Sequence, residues 1–131
     1  MLTLDSSALV PVICHDPEAE TLVPRMEAAQ GLVIGAATLS RANDLLLNRI
    51  GRLGGPLLSH FVQRAGIVVI PFDERHRFAA NSVFARFGPG RHEAALDSED
   101  CRTYATAHLA GAPVLAVERN FSLTDLPIAG C

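Results

Sequence analysis

Lysine is absent from the 131-residue sequence, so all 11 basic residues are arginine. The formal net charge of −3 does not indicate a general nucleic-acid-binding protein. Codon bias in a GC-rich genome accounts for such an excess of arginine without any functional reason. Guanidinium groups also suit bidentate contacts to phosphate, so a local phosphate-binding surface remains open.

Cysteine patterns and long apolar runs are missing as well. The three cysteines, Cys14, Cys101 and Cys131, have no CxxC spacing, which argues against a zinc site or a disulfide framework. No stretch reaches the roughly 18 apolar residues of a membrane span. The first apolar run contains Asp5 and follows no basic segment, so a signal peptide is not expected. These absences predict a cytoplasmic protein with no membrane association.

Short apolar runs alternate with helical periodicity along the whole chain. Residues 1–131 are long enough for one domain and too short for two. Strands are predicted at 1–4, 32–34, 67–70 and 113–117, and helices at 6–13, 18–29, 35–50, 57–65, 73–87 and 96–109. The alternation indicates an α/β fold, a three-layer α/β/α sandwich with a central parallel sheet. The β-branched run at 67–70 predicts a strand buried on both faces.

Acidic residues follow predicted strands or begin predicted helices. Asp5 ends the first strand, where it could cap the next helix or hold a metal ion. Further acids at comparable places are Asp97, Glu99, Asp100, Glu118 and Asp125. As single residues they are expected to be helix caps or solvated surface. Gathered around one crevice, they would favour Mg²⁺ or Mn²⁺, which lowers the pKa of bound water.

Four segments of the sequence together resemble a known family. They are LDSSALV, IGAATLSRAND, VVIPFDERHRFAANSVFARFGPGRHEAALDSEDCRTYATA and VLAVERNFSLTDL. In this order and spacing they resemble a PIN domain of the VapC type, the toxin of a bacterial type II toxin–antitoxin pair. The resemblance implies an endoribonuclease that uses Mg²⁺ or Mn²⁺ to activate water. It also implies an RNA substrate, an antitoxin partner whose C-terminal segment wraps the toxin, and a homodimer.

The resemblance carries over to individual acids only in part. Asp5 matches the first acid of the family, Asp100 matches the acid of the late helix, and Asp125 matches a further aspartate. These three are the expected catalytic residues, and Asp5 and Asp100 are the expected metal ligands. Arg41 stands where the family has glutamate, and Asn120 stands where it usually has aspartate.

The two departures leave alternatives for the function. Arg41 could pair with Asp5 and Asp100 and occupy the metal's place, which would give a catalytically inactive binding or regulatory protein. If Arg41 turns outward, Asp44 could partly replace the missing acid, and the enzyme would be working or attenuated. Asn120 keeps an oxygen but loses a charge. A third alternative is an unrelated α/β protein whose acids are all caps.

Several other residues are accessory candidates. Ser6 follows Asp5 and could orient a metal-bound water or cap the helix, and Glu99 precedes Asp100. Arg86, Arg91 and His92 flank or follow the loop that contains Gly88 to Gly90, where they could contact the RNA backbone. Solvated surface is the simpler explanation for all three residues.

Overall fold

A four-stranded parallel sheet forms the centre of the computed structural model, which describes residues 1–128. The strands are β1 (Leu2–Leu4), β2 (Leu32–Gly35), β3 (Val68–Ile70) and β4 (Val114–Leu115). The helices are α1 (Ser6–Ile13), α2 (Ala19–Ala28), α3 (Ala36–Ile50), α4 (Gly54–Ala65), α5 (Glu74–Phe87) and α6 (Ser98–Ala110). Short 3₁₀ turns occupy Gly51–Leu53 and Asn120–Leu123. The predicted α/β class and parallel sheet are confirmed.

The strand order is β3-β2-β1-β4, so β1 and β2 are central. Because all strands are parallel, the residues that follow β1, β2 and β4 meet at one edge of the sheet. Alternate strand residues face opposite sides. Leu4, Ile34 and Leu115 pack into a core with α1 to α4, whereas Val114 packs into a second core with α5 and α6. The sheet therefore lies between two helical layers, as predicted.

The predicted burial of both faces of the third strand is wrong. Val68 is 59% exposed and Val69 is 39% exposed. The reason is position, since β3 pairs only with β2 and lies at the edge of the sheet. A β-branched run is equally compatible with an edge strand, and its sequence gives no information on what lies beside it.

Most predicted element boundaries agree with the structure within two residues, and the clearest differences are at α4 and after the last strand. Helix α4 begins at Gly54 instead of residue 57, and the last strand contains only Val114 and Leu115. The segment after that strand, predicted as a loop, contains the turn Asn120–Leu123 with Phe121 buried. Ile128 then forms a parallel bridge to Val114 in a tail that shows no sequence pattern. The predicted reduced thiol of Cys131 lies outside the described residues.

Two smaller findings bear on the sequence predictions. Cys101 is buried and Cys14 is partly buried, and both are free thiols. Within the described part of the chain, each helix is too short or too polar to cross a bilayer.

Candidate active site

A pocket of about 160 Å³ opens at the carboxyl edge of the sheet. It brings together residues that follow β1 and β4, one wall of α3 and the first turns of α6. The lining side chains are Asp5, Ser6, Ser7, Thr38, Arg41, Leu45, Asp97, Glu99, Asp100, Thr103 and Glu118. The structure thus gathers acids from three separate parts of the sequence, as the parallel topology predicts.

Asp5 is both a helix cap and a buried member of the pocket. One carboxylate oxygen accepts a hydrogen bond from the backbone N–H of Ser7 at 3.1 Å, which caps α1. The other accepts the hydroxyl of Thr103 at 2.8 Å. The hydroxyl of Thr38 lies 2.9 Å from that of Thr103, which completes a buried chain across α3 and α6. These contacts fix the Asp5 carboxylate in one orientation, and each oxygen keeps further acceptor capacity.

Asp100 is held at the start of α6 by a reciprocal cap. The Asp97 carboxylate accepts the backbone N–H of Asp100 at 2.8 Å, and the Asp100 carboxylate accepts the N–H of Asp97 at 3.1 Å. Asn120 adds a longer contact, its amide nitrogen lying 3.4 Å from the same Asp100 oxygen. Asp97 is therefore a cap, as its position suggested, and its cap also positions Asp100.

Burial and neighbouring charges raise the pKa of two acids of the pocket, Asp100 and Glu118. Burial, the largest cause, and the charges of Asp97, Glu118 and Asp5 together raise the pKa of Asp100 from 3.8 to about 7, against the hydrogen bond from the Asp97 backbone. Burial also raises the pKa of Glu118, with Asp5 and Asp97 adding to the shift. A hydrogen bond with Asp100 and the charge of Arg41 oppose that shift. Such crowding disfavours full ionisation unless a cation joins the carboxylates.

Glu118 lines the pocket, although from the sequence it was only one of several acids that could gather around a crevice and was not an expected catalytic or metal-binding residue. It stands three residues after β4 and was expected, as a single residue, to be solvated surface. The structure places it at the rim, close enough to Asp100 for its charge to raise the pKa of that carboxyl. Its position just beyond the last strand was the available signal. Thr38 and Thr103 also line the pocket and were not predicted as site residues.

Asp125 does not join the pocket, so its expected convergence on Asp5 and Asp100 is wrong. Its carboxylate accepts a hydrogen bond from the hydroxyl of Tyr104 and lies 3.5 Å from the guanidinium of Arg86. It lines a different groove, between α5 and α6. The 3₁₀ turn that buries Phe121 redirects the chain after Glu118 and carries Asp125 to Tyr104.

Hydrogen bonds and charges in this second cluster shift two pKa values in opposite directions. The hydrogen bond from Tyr104 and the charge of Arg86 lower the pKa of Asp125. Burial and the Asp125 carboxylate raise the pKa of Tyr104 to about 12. Asp125 is therefore an ionised partner that fastens the C-terminal segment to α6.

Arg41 lines the pocket without filling it. Its side chain is exposed, and in residues 1–128 no ion pair joins it to Asp5 or Asp100. The bidentate pairing considered from the sequence is thus not formed. Asp44, the suggested replacement acid, is exposed one turn further along α3 and does not line the pocket.

The remaining candidates have partners of their own. Ser6 lines the pocket, and Glu99 lines it while pairing with Arg102 at 2.7 Å. Away from the pocket, Arg91 lies 5.5 Å from the ring centroid of Phe84. His92 accepts the backbone N–H of Ala94 at 3.0 Å. The three residues proposed to contact RNA, Arg86, Arg91 and His92, do not line the pocket.

The donor chemistry of the pocket fits a hard divalent cation. Carboxylate oxygens are the ligands that Mg²⁺ and Mn²⁺ prefer, and the pKa of Asp100 is raised first by burial and then by the charges of Asp97, Glu118 and Asp5, which a cation would offset. Across residues 1–128, however, no three His, Cys, Asp or Glu side chains stand close enough to enclose an ion. The arrangement fits an ion held by two carboxylates and water, which implies weak binding.

Residues 2–126 match the family model described as PIN domain. The chain is 34% identical over 130 residues to Ribonuclease VapC36 of Mycobacterium tuberculosis, covering 98% of this chain and 94% of that protein. It is 31% identical over 125 residues to Ribonuclease VapC of Mycolicibacterium smegmatis, covering 95% and 97% of the two chains.

Solved structures resemble the fold over nearly the whole chain. VapC20 of Mycobacterium tuberculosis, a sarcin-ricin loop cleaving toxin, superposes with a TM-score of 0.83 at 14% identity and covers 100% of both chains. VapBC2 of Rickettsia felis, bound to a DNA fragment from its promoter, gives a TM-score of 0.76 at 14% identity, covering 98% and 96%. At this identity the two structures establish the fold alone.

Proposed function

Because the chain belongs to the PIN-domain family and has VapC ribonucleases as relatives, we propose that it is a toxin that cleaves RNA as a metal-dependent endoribonuclease. The observation that carries this proposal is the pocket that joins Asp5, Asp100 and Glu118 at the carboxyl edge of the sheet. Burial is the largest cause of the raised pKa of Asp100 and of Glu118, and neighbouring carboxylate charges add to both shifts, so a cation such as Mg²⁺ or Mn²⁺ would relieve the crowded negative charge.

Asp5 and Asp100 are the residues proposed to hold the ion, with Glu118 beside them. A bound divalent cation would lower the pKa of a water molecule and stabilise charge on the phosphate under attack. The chain itself keeps the two carboxylates in place. Thr103 and the N–H of Ser7 orient Asp5, and the reciprocal cap with Asp97 orients Asp100. This preorganisation removes the need to rearrange either group during the reaction.

Arg41 and Asn120 make an attenuated enzyme the expected form of this activity. Both replace an acid that the family resemblance implies, so the pocket has less negative charge with which to hold the ion. The alternative is an inactive PIN-like binding or regulatory protein with Arg41 in the metal's place. The unpaired position of Arg41 among residues 1–128 favours the enzyme.

We further propose a cognate antitoxin and a second copy of this chain as protein partners in the cytoplasm. Large apolar side chains are exposed where α3 meets α4, and this surface would suit a protein partner. They are Leu47, Ile50, Leu53 and Leu57. Sedimentation of the purified chain tests the homodimer, and a monomer at all concentrations would contradict it. Co-purification with the product of an adjacent small reading frame tests the antitoxin.

Cleavage of a structured RNA by antitoxin-free protein in Mn²⁺ tests the proposed activity. The fold neighbour VapC20 is a sarcin-ricin loop cleaving toxin, which supports the choice of a structured RNA. We expect Asp5→Asn and Asp100→Asn each to lower the rate on the order of 100-fold or more, because each removes a charge from the metal position. Glu118→Gln should also slow cleavage.

Matched controls test whether slower cleavage follows from the loss of an acid in the pocket or from the loss of any acid. Asp44→Asn makes the same chemical change on α3 outside the pocket, and Asp125→Asn makes it in the cluster with Tyr104. Both should cleave at nearly the wild-type rate. Equal, background-level cleavage by wild type and Asp5→Asn would contradict the enzyme and leave the binding protein as the function.

A further inference from the structure

Arg41 is a cation on the wall of an acidic pocket, and it does not neutralise the acids. Other arginines of the chain pair with carboxylates, as Arg49 does with Asp16 and Arg102 with Glu99. For Arg41 no ion pair or hydrogen bond is found among residues 1–128, although its charge acts on Glu118. Its guanidinium donors are therefore available to a ligand that enters the pocket.

Helix geometry fixes the place of Arg41. Thr38, Arg41 and Leu45 lie at i, i+3 and i+7 and line the pocket together, so they form one stripe of α3. Thr38 is buried against Thr103 at the floor, and Arg41 stands one turn closer to solvent. The carboxylates at the floor already have partners, since Asp5 accepts from Thr103 and Ser7. Because the side chain of Arg41 is exposed and also lines the pocket, it lies at the rim.

The position of Arg41 matters because the other charged side chains that line the pocket are acidic. Asp5, Asp97, Glu99, Asp100 and Glu118 all line it, and within residues 1–128 Arg41 is the only basic side chain that does so. A polyanion approaching this surface meets repulsion from every lining charge except Arg41. Of the pocket's side chains, a guanidinium is the one suited to hold a phosphate, through two parallel N–H donors.

We propose that Arg41 binds a backbone phosphate of the RNA at the rim of the pocket and so positions the strand for cleavage. This inference rests on the proposed ribonuclease function and adds a substrate-binding residue to it. On this account, Arg41, which stands where the family resemblance implies an acid, contributes to substrate binding and does not block the site.

RNA binding measured without cleavage tests the inference. Fluorescence anisotropy of a labelled single-stranded RNA in EDTA would be followed for wild type, Arg41→Ala, Arg41→Lys and Arg52→Ala. Arg52 is an exposed arginine outside the pocket and is the matched control. Loss of one phosphate contact should make the slope of the logarithm of the association constant against the logarithm of the salt concentration shallower by about 0.7. That corresponds to about fourfold weaker binding at 0.15 M salt.

The expected pattern is weaker binding and a reduced slope for Arg41→Ala, a retained slope for Arg41→Lys, and little change for Arg52→Ala. Equal affinities of Arg41→Ala and wild type would overturn the inference. So would equal losses in Arg41→Ala and Arg52→Ala, because the contact would then be a general charge effect. Thermal unfolding of each variant verifies that the exposed substitution leaves the fold intact.

Arg41→Glu separates a substrate-binding arginine from a blocking one. A blocking cation predicts faster cleavage in Mn²⁺ with unchanged RNA affinity when it is removed. A phosphate-binding arginine predicts weaker RNA binding and a raised KM. Wild-type protein that binds RNA through Arg41 without cleaving it would support the phosphate contact of Arg41 and contradict both the enzymatic function and the positioning role that depends on it. Cleavage by wild type with no effect of Arg41→Ala on RNA affinity would support the enzymatic function and contradict this inference.

Discussion

At the scale of single residues, the same carboxylates that cap helices are the ones proposed to hold the metal ion. Asp5 caps α1 and Asp100 takes part in the reciprocal cap of α6, yet both face one pocket. The caps are useful to the site because a carboxylate that accepts a backbone N–H cannot rotate freely. A choice between cap and ligand, which the sequence seemed to demand, is therefore unnecessary.

The raised pKa of Asp100 predicts a pH dependence of stability in the metal-free protein. An ordinary aspartate has a pKa near 3.8, and Asp100 has one of about 7. Between these values the folded state binds more protons than the unfolded state. The stability contributed by protonated Asp100 is thus present near pH 4 and is lost as the pH rises through 7. The loss should be about 2–4 kcal/mol.

Urea unfolding of wild type and Asp100→Asn in EDTA at pH 5 and pH 8 measures this effect. Asparagine cannot ionise, so its stability relative to wild type should rise between the two pH values. Asp44→Asn, which changes an exposed acid outside the pocket, should track wild type. A constant difference between Asp100→Asn and wild type at both pH values would refute the prediction.

The sequence located Asp5 and Asp100, but of the two acids after the last strand it favoured Asp125, whereas Glu118 is the one that lines the pocket. The first two stand at an element's end, where strand and helix patterns fix the position of a side chain locally. Glu118 and Asp125 lie beyond β4, and their places depend on the path of the chain through a 3₁₀ turn. The burial of Phe121 and the bond between Tyr104 and Asp125 decide that path, and both are tertiary contacts.

At the scale of elements, periodicity predicted which segments are helices and strands better than it predicted their surroundings. The run at 67–70 forms a strand, but its β-branched residues are exposed at the sheet edge. Helix α4 starts earlier than its apolar pattern because Gly54 already has helical backbone angles. The apolar pattern of α4 begins only after Gly54, because glycine has no side chain to contribute to the pattern.

Gly54 marks a close approach of α4 to α3 that a larger residue would obstruct. A Cβ atom there would lie 2.8 Å from the backbone carbonyl carbon of Leu46. We expect Gly54→Ala to destabilise the protein by about 1–3 kcal/mol, because backbone on α3 would have to move. Gly55→Ala is the matched change, since its Cβ would lie 3.4 Å from a side-chain oxygen of Asn43.

The two glycine variants have opposite expectations in urea unfolding. Alanine is the better helix former by about 1 kcal/mol, so Gly55→Ala should be neutral or stabilising. Gly54→Ala gains the same helix propensity and should still unfold at lower urea. Equal urea midpoints for the two variants would contradict this prediction, because α3 and α4 would then move apart without loss of stability.

At the scale of the whole molecule, topology makes the site. Parallel strands deliver the ends of β1 and β4 to one edge, and the packing of α6 across the sheet brings Asp100 to Asp5 over 95 residues of sequence. The sequence predicted this meeting because the parallel α/β class implies a shared carboxyl edge. The position of Arg41 at the rim of the pocket could not be predicted in the same way. Helix propensity does not determine whether a side chain on α3 points toward the pocket or toward solvent.

Stabilisation of the folded protein by Mn²⁺ is the prediction that belongs to this scale, because only the assembled pocket can hold an ion. An ion that binds the native state alone raises the unfolding free energy by RT ln(1 + [L]/Kd), which is about 1.4 kcal/mol at ten times Kd. We expect this rise in wild type and in Asp44→Asn, and its absence in Asp5→Asn and Asp100→Asn. The measurement is urea unfolding in EDTA and in increasing Mn²⁺, and it needs no RNA. It therefore distinguishes a metal-binding pocket that cleaves slowly from one that holds no ion. An unchanged wild-type midpoint through millimolar Mn²⁺ would contradict the metal site, whatever the cleavage assay finds.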